Sequence, residues 1–292
     1  MQGPSVLQPR SGPVEERSFA AQGFRSRVLE AGSERDGEEA VVFIHGAPGS
    51  AGDWRPLLSG AGGFARALAF DLPGFGAASK PARWDYSPDA FATFVAATFA
   101  ELGVARAHLV MGDIGGSAGL HWAAAHPQAF ASAVLIDTGV LIGYRWHLIA
   151  RLHRAPLVGA AVAAGGNIGL RGVMRLYGAD LPEQAITRWR RDFDWGSRRA
   201  MLRFYRATSA SDSRLAPALA RLDRPALVLW GKRDRFVPAE QAERQRESFP
   251  SAEIEILEGV GHYGHLEAPE PIAERVLPFL RRQLDAGKVE RE

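Results

Sequence analysis

Four short stretches each follow an apolar run and carry residue types able to do chemistry. They are His45-Gly46-Ala47-Pro48-Gly49, Gly112-Asp113-Ile114-Gly115-Gly116, Gly231-Lys232-Arg233-Asp234 and Gly259-Val260-Gly261-His262. An acid and then a histidine, in loops at one edge of a sheet, form the base-plus-orienter arrangement of nucleophilic catalysis. The glycines around Ala47 let backbone N–H groups approach a ligand closely. Two nucleophiles compete within LVMGDIGGSAGL (109–120). Gly115-Gly116-Ser117-Ala118-Gly119 fits the G-x-S-x-G pattern of a serine nucleophile, whereas Asp113 directly follows the apolar run.

Bulk properties narrow the class. The 292 residues suffice for one large α/β domain with an inserted lobe. A formal net charge of +2 gives no nucleic-acid signal, and 46% hydrophobic with 23% charged residues is ordinary for a globular chain. With no cysteine there is no disulfide, thiolate metal site or Cys nucleophile. No apolar signal segment follows Met1 and no stretch is apolar enough to span a bilayer, so a cytoplasmic protein without a membrane partner is expected. Residues 1–17 and 287–292 are rich in polar, charged, Pro and Gly residues and are expected to be flexible.

These loops must be positioned by a scaffold. Short apolar runs alternating with helical patterns predict a parallel sheet with crossover helices. Strands are expected within 18–30 and at 40–46, 65–71, 107–112, 131–137, 225–231 and 252–259. Helices are expected at 87–102, capped by Ser87-Pro88-Asp89, and at 115–125, 238–249 and 269–284. The interval after 137 has helical patterns rich in aromatic residues and arginine but no strand. The expected organisation is a core of 18–137 and 216–286, with 138–215 inserted as a helical cap at the carboxyl edge of the sheet.

Together with DLPGFGAAS (71–79), AAAHPQAFASAVLID (123–137) and GVGHYGHLEAPE (259–270), the four loops resemble the α/β-hydrolase family from about residue 20 to 285. The resemblance implies a mostly parallel sheet with helices on both faces. It places the nucleophile directly after the strand, with Gly-Gly two residues later, which selects Asp113 over Ser117. Aspartate nucleophiles are typical of the epoxide hydrolase, haloalkane dehalogenase and fluoroacetate dehalogenase branches, as is the His45-Gly46-Ala47-Pro48 loop. Attack by a carboxylate on an ester would give an anhydride, whereas attack on an sp³ carbon gives an alkyl ester. Water activated by His262, with Asp234 orienting the imidazole, then hydrolyses that ester. The N–H groups of Ala47 and Ile114 would hold the oxyanion, and no metal or organic cofactor is required.

The residue after the nucleophile separates the branches. Ile114 supplies neither the indole N–H typical of haloalkane dehalogenases nor the arginine typical of fluoroacetate dehalogenases. Epoxide hydrolases accept an apolar residue there but need cap phenols to protonate the ring oxygen. MLRFYRA (201–207) resembles the stretch carrying one such phenol, which points to Tyr205, with Tyr144 as the second. The substrate is thus expected to be small and apolar, with epoxide hydrolysis to a vicinal diol leading. Carbon–halogen hydrolysis stands second and is favoured if a cap tryptophan (Trp146, Trp189 or Trp195) faces Asp113. A serine ester or lactone hydrolase using Ser117, and a binder without turnover, complete the alternatives. Asp137, Asp71, His147, His153 and His265 are expected to be structural, and the arginines of 188–206 to form a solvated helix face.

Overall fold

Apolar runs buried on both faces need cover on both faces, and the strands show it residue by residue. In a computed structural model describing residues 13–32, 38–165 and 170–289, the chain forms eight strands and twelve α-helices among those residues. The strands are β1 (Glu15–Ala21), β2 (Phe24–Ala31), β3 (Glu39–Ile44), β4 (Ala67–Phe70), β5 (Arg106–Gly112), β6 (Phe130–Ile136), β7 (Ala226–Gly231) and β8 (Glu253–Leu257). They form one sheet in the order β1-β2-β4-β3-β5-β6-β7-β8. The β1–β2 and β2–β4 pairs are antiparallel and the other pairs parallel.

Val42 and Ile44 of β3 join one apolar cluster, whereas Val41 and Phe43 join a second. Leu109 and Met111 of β5 separate from Val110 in the same way. One face is covered by α1 (Arg55–Ala61) and α12 (Pro269–Val289), whose Leu57, Leu58, Val276 and Phe279 enter the second cluster. The other face receives α2 (Pro88–Leu102) and α3 (Ile114–Ala125). Helix α2 starts where the sequence indicates: the Ser87 side chain accepts from Ala90 N–H, and Gly103, at φ 66°, ends it.

Among the described residues six α-helices intervene between β6 and β7: α4 (Leu148–Arg154), α5 (Val158–Ala164), α6 (Leu170–Leu176), α7 (Glu183–Asp192), α8 (Trp195–Ala207) and α9 (Leu215–Leu222). They are pinned to the core by a buried carboxylate. Asp53 Oδ1 accepts from Arg188 Nε at 3.0 Å and Nη2 at 2.6 Å, and Oδ2 accepts from Trp189 Nε1 at 3.0 Å. Arg188 is therefore not part of a solvated face, and a charge-assisted pair this enclosed fixes where α7 sits. The last helices before α12 are α10 (Glu240–Arg244) and α11 (Gly264–Glu267). The helix expected over 238–249 is broken, because a 3-10 turn at Gln245–Glu247 follows α10.

At the chain ends, β1 begins at Glu15 and α12 runs to Val289, both inside stretches expected to be flexible; residues 1–12 and 290–292 lie outside the described residues. Among the described residues no helix is long and apolar enough to cross a membrane.

Winding runs from β3 to β4 on one side and then to β5 on the other, so a crevice opens above the carboxyl ends of β3 and β5. The close approach there depends on Gly115, where a Cβ would collide with the Ile44 carbonyl oxygen, a backbone atom that cannot turn aside. Replacing Gly115 by Ala is expected to cost about 2–3 kcal/mol of stability. Urea denaturation of the variant against the parent chain measures the loss.

Candidate active site

Each of the four loops leaves the carboxyl end of a parallel strand, and the structure brings their polar residues together. Asp113 sits between β5 and α3 at φ 48° and ψ −125°, a conformation costly for any residue with a Cβ. The sharp turn lifts its side chain out of the helix it begins. Gly46 faces it so closely that a Cβ there would lie 2.6 Å from Asp113 Cβ. Thr138 donates to the Asp113 carbonyl at 2.6 Å and holds the turn from the β6 side.

Both carboxylate oxygens of Asp113 are engaged. Oδ1 accepts from Ala47 N–H at 2.8 Å, and the Ile114 N–H adds a favourable dipole beside the carboxyl. Oδ2 lies 3.0 Å from His262 Nε2, and His262 Nδ1 lies 2.7 Å from Asp234 Oδ2. The other oxygen of Asp234 accepts from the N–H groups of Phe236 at 2.8 Å and Val237 at 2.9 Å. Asp113, His262 and Asp234 thus form one chain of hydrogen bonds, with Ala47 and Ile114 at its end. Tyr263, which sequence reasoning missed, donates to the Ala47 carbonyl at 3.2 Å and steadies that loop.

Electrostatics favour a charged pair. Burial alone would raise the Asp113 pKa, but the hydrogen bond and charge of His262, with the two backbone N–H groups, hold it below the usual carboxylate value. Burial would lower the pKa of His262, yet Asp234 and Asp113 drive it well above the usual imidazole value. Asp137, at the end of β6, accepts from Gly231 N–H at 2.6 Å and Gly264 N–H at 3.2 Å. It therefore ties together the loops that carry Asp234 and His262. Burial and then the Asp234 charge push its own pKa well up.

Two cavities open from Asp113, with Tyr205 and Phe236 in the walls of both. One, of about 110 Å³, is lined also by His262, Trp146, His147 and Tyr144; the other, of about 230 Å³, runs under the inserted helices. Tyr205 is buried, and burial followed by the charge of Asp113 drives its pKa well above the usual phenol value, so it keeps its proton. Tyr144 lines the same cavity, but its hydroxyl donates to the Phe236 carbonyl at 2.6 Å and accepts from His147 N–H at 3.3 Å. Its proton is committed to the backbone.

His147 is a neighbour that helical spacing did not reveal, because it caps α4 rather than lying within it. Its Nδ1 accepts from Ala150 N–H at 3.3 Å. Burial first, then the charge of His262, lower its pKa to about 4, so the ring is neutral and its proton sits on Nε2. That atom lies 3.5 Å from the Tyr205 hydroxyl oxygen. With His147 donating to that oxygen, the phenolic hydrogen is left to face the cavity.

Ser117 lies one turn inside α3 on the cavity wall, and His262 Nε2 meets Asp113 instead. Of the three tryptophans, Trp189 gives its N–H to Asp53 and Trp195 is 51% exposed on the surface. Trp146 remains, with its Nε1 buried and without a partner among the described residues.

Residues 41–275 match a family model described as the alpha/beta hydrolase family. A 2-hydroxy-6-oxononadienedioate/2-hydroxy-6-oxononatrienedioate hydrolase of Burkholderia vietnamiensis is 26% identical over 84% of this chain and 88% of its own. The dihydrolipoyllysine-residue acetyltransferase component of an acetoin cleaving system of Pseudomonas putida is 30% identical over 93% of this chain and 70% of its own. A loop variant of a haloalkane dehalogenase from Bradyrhizobium elkanii has a TM-score of 0.80 at 23% identity, covering 96% of this chain and 100% of that one. An epoxide hydrolase from Vigna radiata has a TM-score of 0.74 at 20% identity, covering 92% and 98%. At these identities the two structures speak for the fold.

The charged pair has a pH signature. Asp113, lowered on folding, stabilises the fold above its unfolded pKa of about 4, and this is lost as pH falls through its folded value. His262, raised on folding, stabilises below its unfolded pKa of about 6.5, and this is lost as pH rises through its folded value. The stability gap between the parent chain and His262→Gln is therefore expected to be widest between about pH 4 and 6.5 and to narrow on the alkaline side. Urea denaturation across pH reads it.

Proposed function

The chain belongs to the alpha/beta hydrolase family, and on that premise we propose that it hydrolyses epoxides to vicinal diols through a covalent ester on Asp113. The observation that carries this reading is the partner of His262: its Nε2 meets a carboxylate oxygen at the elbow rather than a hydroxyl. A carboxylate held there suits attack on carbon, and the neutral, protonated phenol of Tyr205 in the same cavity suits an oxygen leaving group.

In the first step Asp113 Oδ2 attacks a ring carbon, the carbon–oxygen bond breaks, and the ring oxygen takes the Tyr205 proton. Asp113 becomes a neutral ester, so one of the two carboxylate charges that raised the pKa of His262 disappears. The imidazolium then releases its proton to the Tyr205 phenolate, and the neutral imidazole is ready to act as base. In the second step His262 Nε2 takes a proton from water as the hydroxide attacks the ester carbonyl. The N–H groups of Ala47 and Ile114 receive the resulting oxyanion. Collapse expels the diol alkoxide, which takes the proton of the new carboxylic acid. Asp113 returns as carboxylate and His262 as imidazolium, with one water added overall.

Tyr205 is the proton donor in this scheme, assisted by His147, and Tyr144 is a structural neighbour because its hydrogen is already given away. Trp146 favours a second reading. Its unpartnered indole N–H on the wall shared with Asp113 suits a departing halide, giving carbon–halogen hydrolysis by the same ester.

His262→Gln protein, offered epoxides, haloalkanes and esters and weighed intact, is expected to accumulate an adduct with the mass of the whole epoxide on Asp113. An adduct lacking the halogen would move the function to dehalogenation. An acyl group on Ser117, or no adduct at all on folded protein, would overturn the reading. Tyr205→Phe is expected to slow ester formation about 100-fold, within the usual range for a lost general acid. Tyr144→Phe is expected to slow it much less; rapid-quench mass spectrometry compares the two.

A further inference from the structure

The two cavities that meet at Asp113 differ in chemistry. The cavity under the inserted helices is walled by Val162, Ala163, Leu170, Val173, Met174 and Met201, and its one lysine or arginine among the described residues is Arg198 of α8. Its Nε is buried with no hydrogen-bond partner among the described residues. Its neighbour is the Trp195 ring, 5.8 Å away. The acid one turn earlier, Asp194, is engaged elsewhere, receiving Lys80 Nζ at 2.9 Å and Ser197 N–H at 3.0 Å. The cavity's remaining base, His153, is held neutral first by burial, and its Nδ1 is turned to the Ile149 carbonyl. A buried guanidinium N–H without an acceptor is costly, and a carboxylate entering beside Arg198 would relieve that cost through charge-assisted hydrogen bonds.

The other cavity offers the opposite environment. No lysine or arginine lines it among the described residues. A carboxylate there would meet no guanidinium or ammonium from the described lining, whereas the apolar cavity offers it Arg198. Asp113, at the junction, would also push such a group toward the far end of the apolar cavity.

We propose that the apolar cavity binds an alkyl chain ending in a carboxylate, that Arg198 pairs with that carboxylate, and that the substrate is an epoxide on such a chain. The inference rests on the reading of Asp113 as nucleophile for the epoxide, but the carboxylate site stands on its own geometry. Arg198 is thus a specificity-determining residue. It sorts acids from neutral chains of the same length and orients the chain with its reactive carbon at Asp113.

The test compares an epoxyalkanoic acid with its methyl ester in the parent chain, Arg198→Gln and Arg198→Lys. In the parent chain kcat/KM for the acid is expected to exceed that for the ester at least tenfold, mostly through KM, as loss of a charged hydrogen bond implies. The preference is expected to fall to near one in Arg198→Gln and to survive in part in Arg198→Lys. Calorimetry with decanoate and decanol reads the same site without chemistry, and Arg198→Gln is expected to weaken decanoate about tenfold or more. Equal use of acid and ester by the parent chain, or an unchanged preference in folded Arg198→Gln, would overturn the proposal. The two readings fail separately. An adduct of the methyl ester on Asp113 in His262→Gln, with no acid preference in the parent chain, sinks the Arg198 site and leaves the nucleophile. Arginine-dependent decanoate binding with no adduct from either substrate supports the carboxylate site and sinks the epoxide reading.

Discussion

The Asp113 carboxylate is held between two backbone N–H groups and an imidazole, and the rest of the site depends on that suspension. A buried carboxylate on its own would be forced toward its neutral form, which is a poor nucleophile. Here the sheet supplies the compensation. β3 ends where Ala47 can donate, β5 ends at the elbow, and the loops after β7 and β8 bring Asp234 and His262 in line behind it. The strained φ of Asp113 is the cost of turning the side chain toward those partners. Asp137 keeps the two later loops in register through Gly231 and Gly264.

Above this frame the inserted helices provide the organic environment. The ion pair of Asp53 with Arg188, together with the indole N–H of Trp189, fixes α7 over the core. Helix α8 then carries Tyr205 to the junction of the two cavities and Arg198 along the wall of one of them. In the proposed reaction the charge of the pair is also its timing device. While Asp113 is ionised His262 holds its proton, and conversion of Asp113 to an ester weakens that hold, with Asp234 alone remaining, just when a base is needed.

Much of this was legible in the sequence. The four loops, the strand ends and the α2 cap are local signals, and each coincides with an element of the structure to within a few residues. That Asp113 sits at the turn and Ser117 one turn into α3 was legible from where the strand ends, while the preference for Asp113 as nucleophile came from the family resemblance. What escaped was set by packing between distant segments. His147 and Tyr144 sit three residues apart, yet a carbonyl at Phe236 takes the proton of one and the capping of α4 fixes the tautomer of the other. Arg188 and Arg198 read as part of one polar helical surface, but the first is tied to Asp53 and the second turns to an apolar cavity. No periodicity records which arginine meets a carboxylate more than a hundred residues earlier in the chain.

The proposed attack by a carboxylate oxygen leaves an isotopic trace that no serine or direct-water mechanism shares. A single turnover with excess enzyme in ¹⁸O-labelled water should give an unlabelled diol, because its new oxygen comes from Asp113, and should leave ¹⁸O in the peptide containing Asp113. Label in the diol from the first turnover, with none at Asp113, would mean that water attacks carbon directly and would contradict the covalent ester.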